Sequence, residues 1–140
     1  MIILDTNVLS ALMGRDLDAV VVEWLNEQPP ESVWTTAVTV FEVRLGLKSL
    51  VDGRRRRQLE DAFERMLEDD LEGRVLPFEP NAAREAAWLA ARQREAGSPI
   101  AIRDAQIAGI VAARRATLAT RNMRQFAGLG IALVDPWAKR

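Results

Sequence analysis

The chain has 140 residues, 49% of them hydrophobic, and nearly balanced charge with 19 Lys and Arg against 20 Asp and Glu. That length is enough to bury one sizeable core and too short for two ordinary domains, so residues 1–140 are expected to form a single domain. Cysteine and histidine are both absent, which excludes disulfides, thiolate nucleophiles, Ser-His-Asp triads and every Cys- or His-ligated metal centre, and leaves acid–base work to carboxylates, lysine or metal-bound water.

Residues 1–4 form a short apolar run that ends at Asp5-Thr6-Asn7, the pattern of a buried strand followed by a turn and a helix start. Further strands are expected over residues 33–37, 75–78, 117–120 and 131–134, with helical stretches between them. Arg54-Arg55-Arg56-Arg57 gathers positive charge within about one helical turn. It reads first as a solvated turn and second as a binding surface. Leu59, Phe63, Met66 and Leu67 then mark the apolar stripe of an amphipathic helix. Residues 82–96 are alanine-rich and stop at Gly97-Ser98-Pro99, a helix-ending sequence. Trp24, Trp34 and Trp88 lie in amphipathic or apolar surroundings and are expected in the core or an interface.

Strands alternating with helices specify an α/β fold, three layers deep, with a mainly parallel central sheet of about five strands covered on both faces. In such sheets ligands bind beyond the carboxyl ends of the strands. No apolar run approaches the roughly 20 residues of a membrane span, and residues 1–5 lack the positive flank and length of a signal peptide, so a cytoplasmic protein without membrane contact is expected.

Three acids fall at strand ends or helix starts. Asp5 follows the first strand, where it reads either as the N-cap of the next helix or as a rim residue of a site. Glu42 is the only acid between Ser32 and Val51; it completes a Thr39-x-x-Glu42 capping box, or it is a carboxylate that needs a partner. Asp104 precedes Ile107 and Ala108 by three and four residues and shares their inward stripe, and it also suits the positive end of a helix dipole. Three carboxylates meeting on one rim would raise one another's pKa unless a cation neutralises them, and oxygen-only donors favour Mg²⁺ or Mn²⁺. Arg44, Lys48 and Arg103 stand close in sequence to these acids and are candidates for phosphate or protein-partner contacts, against a reading as solvated helix-face charges.

The ordered set Ile3-Leu4-Asp5-Thr6-Asn7-Val8, Thr39-Val40-Phe41-Glu42-Val43-Arg44-Leu45-Gly46, Asp104-Ala105-Gln106-Ile107-Ala108, Ala119-Thr120-Arg121-Asn122 and Val134-Asp135-Pro136-Trp137 resembles the PIN-domain family, specifically its VapC-type toxins of the FitB-like branch. The resemblance runs over nearly the whole chain. It implies a metal-dependent endoribonuclease acting on RNA and held inactive by a small antitoxin, through which alone the pair would touch DNA. It also implies a homodimer. Matching positions make Asp5, Glu42 and Asp104 the catalytic metal ligands, with Asn7 and Thr120 as supporting polar residues. Asn122 and Gln125 depart from the pattern, since relatives often carry an acid at one of these positions. A neutral amide there weakens the case for a second metal, while Asn122 can still hold a metal-bound water or offer its carbonyl oxygen. The same departure favours an alternative, a catalytically weak or silent module acting through its antitoxin.

Overall fold

The structure is a computed structural model that describes residues 1–14 and 16–138. Five strands, β1 (Ile2–Leu4), β2 (Val33–Thr36), β3 (Val75–Leu76), β4 (Thr117–Ala119) and β5 (Ala132–Val134), form one sheet in the order β3-β2-β1-β4-β5, with every neighbouring pair parallel. Helices α1 (Thr6–Ala11) and α2 (Ala19–Asn26) connect β1 to β2, α3 (Ala37–Lys48) and α4 (Arg54–Arg65) connect β2 to β3, α5 (Pro80–Glu95) and α6 (Ile102–Arg114) connect β3 to β4, and α7 (Met123–Phe126) leads to β5. Among the described residues, no helix is long and apolar enough to cross a membrane.

The two-residue period of a strand sends alternate side chains to opposite faces, and the two cores follow it. Ile3, Leu76 and Leu118 pack on one face with Ala82, Leu89, Ile107 and Phe126 of α5, α6 and α7. Leu4, Val33 and Ala119 pack on the other with Val8, Val21, Val43 and Phe63 of α1 to α4. This is the expected three-layer arrangement. The chain winds outward from β1 through β2 to β3 and then returns over the other face to β4 and β5. Connections from the adjacent strands β1 and β4 therefore leave in opposite directions, which opens a crevice at their carboxyl ends.

All five expected strands are present, each shortened by one or two residues at an end. The alanine-rich helix is α5, and it stops before Gly97 as expected. α5 and α6 cross so closely that a Cβ on Gly109 would come 2.4 Å from the Ala82 carbonyl oxygen and 2.7 Å from the Ala86 Cβ. The stripe at Leu59, Phe63, Met66 and Leu67 does not continue as plain α-helix. α4 ends at Arg65, and Met66–Asp70 forms a wider π-helical turn closed by Leu71 N–H donating to the Met66 carbonyl at 3.0 Å. Such a turn adds one residue to the helical repeat, and Met66 and Leu71 both end buried. Trp24 is in the core beneath α1 to α4 and Trp34 packs against the core on the opposite face, but Trp88 is 55% exposed, with the Arg92 guanidinium 4.6 Å above its ring. Its neighbours Ala86 and Leu89 take the inward positions, so the apolar surroundings of Trp88 in sequence belong to a different face of α5.

Candidate active site at the switch point

β1 delivers Asp5 to the crevice, and the Asp5 N–H donates to the Ala119 carbonyl at 3.0 Å, continuing the pairing with β4 one residue past the strand. The carboxylate is only 4% exposed. Its Oδ1 accepts from the Thr6 N–H at 2.9 Å, capping α1, and its Oδ2 accepts from the Thr120 hydroxyl at 2.8 Å. Thr120, just beyond β4, is fully buried, and its hydroxyl oxygen accepts in turn from the Asn122 N–H at 3.0 Å. Asn7 Oδ1 accepts from the Arg121 N–H at 3.2 Å, tying the start of α1 to the turn after β4. Both sequence readings of Asp5 therefore coexist, as cap and as rim carboxylate.

Glu42 does not close a capping box. The N-cap of α3 is Thr36, whose hydroxyl accepts from the Thr39 N–H at 3.0 Å and shares a 2.9 Å hydrogen bond with the Thr39 hydroxyl. The helix starts three residues earlier than the Thr39-x-x-Glu42 pattern suggests, because β2 runs directly into it. Glu42 lies in the second turn of α3, where its Oε1 accepts from the Thr6 hydroxyl at 3.3 Å and its Oε2 lies 4.0 Å from Arg103 Nε. Thr6 thus joins Asp5 to Glu42, through its amide on one side and its hydroxyl on the other. Asp104 lies in the first turn of α6, half-buried.

The three acids feel one another. Burial raises the pKa of Asp5 above its ordinary value, against the lowering effect of the Thr120 and Thr6 hydrogen bonds. Burial also raises Glu42, where Arg103 lowers it and the charges of Asp5 and Asp104 raise it further. Asp104 is raised by burial first and by Asp5 second, with Arg103 opposing. Among the described residues no three acidic side chains are gathered into a ready-made ion cage. The local contacts account for this: Glu42 turns toward the Thr6 hydroxyl and Arg103, and each Asp5 oxygen accepts a hydrogen bond from its own side. Each Asp5 oxygen keeps a further lone pair, and three mutually repelling carboxylates are what a hard divalent cation neutralises, so the donor set suits Mg²⁺ or Mn²⁺.

The remaining sequence candidates separate. Arg44 pairs with Glu64 and lies over the Phe63 ring, and Lys48 pairs with Glu60, so both join α3 to α4. Arg103 alone of the three faces the acids. Asn122 stands at the start of α7, exposed, next to Thr120, and Gln125 is exposed one turn on. Arg54, Arg55 and Arg57 are exposed in the first turn of α4, while Arg56 pairs with Glu60. Arg55 and Arg65 line a cleft of about 960 Å³ with Ser10, Met13 and Asp16, which does not include the acids. Sequence reasoning missed Thr6, although its place between Asp5 and Asn7 was a signal. It also missed the clasp in which Trp137 Nε1 donates to Asp18 Oδ2 at 2.7 Å under the Arg121 guanidinium.

An all-parallel sheet of order 3-2-1-4-5 with the buried Asp5 at its β1/β4 crevice defines the class: the chain belongs to the PIN-domain family, whose pattern matches residues 2–130. Among its relatives, VapC ribonuclease Y4jK of Sinorhizobium fredii is 36% identical over 137 residues, covering 98% of both chains. Toxin FitB of Neisseria gonorrhoeae is 34% identical over 98% of this chain and 99% of its own. The solved structure of FitAB bound to an IR36 DNA fragment superposes with a TM-score of 0.90 at 33% identity, covering 100% of this chain and 98% of that one.

Proposed function

We propose that this chain, acting as one domain in the cytoplasm, is the toxin of a toxin–antitoxin pair and an endoribonuclease that uses Mg²⁺ or Mn²⁺ to hydrolyse RNA phosphodiester bonds. The observation that carries this reading is the buried Asp5 carboxylate at the switch point, joined through Thr6 to Glu42, in a chain similar along its length to a VapC ribonuclease. Asp5, Glu42 and Asp104 would hold the ion. When bound, it supplies positive charge against the developing charge on the phosphoryl oxygens and lowers the pKa of water.

The chain's own groups set the rest. Thr120 and the Thr6 amide fix both oxygens of Asp5, and the Thr6 hydroxyl orients Glu42, so the acids are positioned from rigid strand and helix ends. With no histidine in the chain, the proton lost by the attacking water passes to a carboxylate. The new bond forms from water oxygen to phosphorus and the bond to the leaving ribose oxygen breaks.

The partner assigned to it is a small antitoxin, as FitAB and VapBC complexes bound to DNA suggest, with DNA reached only through that partner. A second copy of the chain completes the assembly as a homodimer. A weak or silent module is the second reading, favoured by the amides of Asn122 and Gln125. Cleavage of a mixed RNA pool with and without Mn²⁺, wild type beside Asp104→Asn, tests both. Mn²⁺-dependent cleavage lost in the variant supports the nuclease, and no cleavage despite intact antitoxin binding supports the silent module.

A further inference from the structure

Arg103 is placed against the preferences of its helix. It is the second residue of α6, where the positive end of the helix dipole disfavours a cation. What holds it there is the acid site, where Glu42 of α3 faces its guanidinium. Its Nε lies 4.0 Å from Glu42 Oε2, the outer limit of an ion pair and too long for a hydrogen bond. Its guanidinium lies 5.8 Å from the exposed Phe41 ring, which bounds the positions it can take, and its side chain is 46% exposed. Arg44 and Lys48, by contrast, already meet acids on α4.

We infer, resting on the nuclease reading, that Arg103 has two successive partners. In the ion-free protein it is the internal counter-charge of Glu42, and once a divalent cation neutralises that acid it turns to the RNA phosphate being cleaved. The loose 4.0 Å pairing suits this, because a guanidinium held by a bidentate hydrogen-bonded pair would not be released. A planar fork of donors matches phosphate oxygens in two directions at once.

The consequence is a pair of effects with opposite signs. Arg103→Gln removes a cation that competes with the metal, so Mn²⁺ titrated into RNA-free protein should bind about three- to ten-fold tighter. The same variant should raise KM for RNA about ten-fold or more. Arg103→Lys keeps the charge but not the fork, so it should bind Mn²⁺ like the wild type and recover only part of the KM. Unchanged or weaker Mn²⁺ binding in Arg103→Gln, or an unchanged KM, overturns the inference. A wild type that binds Mn²⁺ and cleaves RNA while Arg103→Gln matches it in both leaves the nuclease reading standing and removes this one alone. A wild type that neither binds Mn²⁺ nor cleaves removes both.

Discussion

Asp5 serves the fold and the site with the same two oxygens, and these roles pull its charge in opposite directions. As a cap it benefits from being ionised, since the Thr6 amide and Thr120 hydroxyl both donate to it. As a buried carboxylate near Glu42 and Asp104 it is better neutral, and burial wins, raising its pKa. A carboxylate whose folded pKa exceeds its unfolded value stabilises the fold when protonated and loses that contribution as pH rises through the raised value. Asp5→Asn should therefore melt a few degrees above the ion-free wild type at pH 7 and lose RNA cleavage. The gap should narrow as pH falls into the upper carboxylate range, and thermal melts at several pH values check it. An Asn variant that melts lower at pH 7 would mean that the cap outweighs the burial. At this scale the sequence announced positions better than partners. Asp5, Glu42 and Asp104 were legible because apolar runs end beside them, whereas the bridge through Thr6 needed the 36-residue separation between Thr6 and Glu42 closed in space.

Elements were legible where period and punctuation agreed. Each strand is an apolar run bounded by turn residues, and α5 stops where Gly97 takes a positive φ of 76°. They were less legible where two signals competed, as at Thr36 and Thr39, both able to cap, or in the π-helical turn after Arg65, which no apolar period encodes. Gly109 shows a requirement set by a neighbouring helix and invisible along the chain. A methyl there meets α5 backbone that cannot swing aside, so Gly109→Ala should cost about 1–3 kcal/mol despite its better helix propensity, measurable by urea denaturation. A second test at this scale concerns the clasp between the C-terminal segment and the N-cap of α2. The Trp137 indole N–H donates to Asp18 and holds its pKa below the ordinary value, with the Arg121 charge contributing last. A lowered carboxylate contributes above its unfolded pKa and loses that contribution as pH falls through the folded one. Asp18→Asn should thus melt below wild type at pH 7 and converge with it only as pH falls below the ordinary Asp range.

For the whole molecule, a net charge of −1 hides how the cations are spent. Arg44, Lys48, Arg56 and Arg74 all pair with acids, and Arg74 also donates to the carbonyls of Val33, Pro30 and Asp70. Near the three acids, Arg103 is held only by a loose 4.0 Å pair and can turn to phosphate, while the Arg121 guanidinium lies over the Trp137 ring. The overall winding was readable from alternating strands and helices, and the switch point followed from it, but this division of the cations was not, because the pairs made by Arg44 and Lys48 join residues on different helices. It makes a quantitative demand on RNA binding. One phosphate contact to single-stranded RNA gives a slope of log K against log salt of about −0.7, shallow for a nucleic-acid-binding protein. Were the Arg54-Arg55-Arg56-Arg57 turn and its cleft the path of the RNA, the slope would steepen to about −3 or beyond. Fluorescence anisotropy of a labelled RNA with Asp104→Asn, which binds without cutting, measures that slope directly, and the steep value would move the substrate path from the β1/β4 crevice to the groove between α1 and α4.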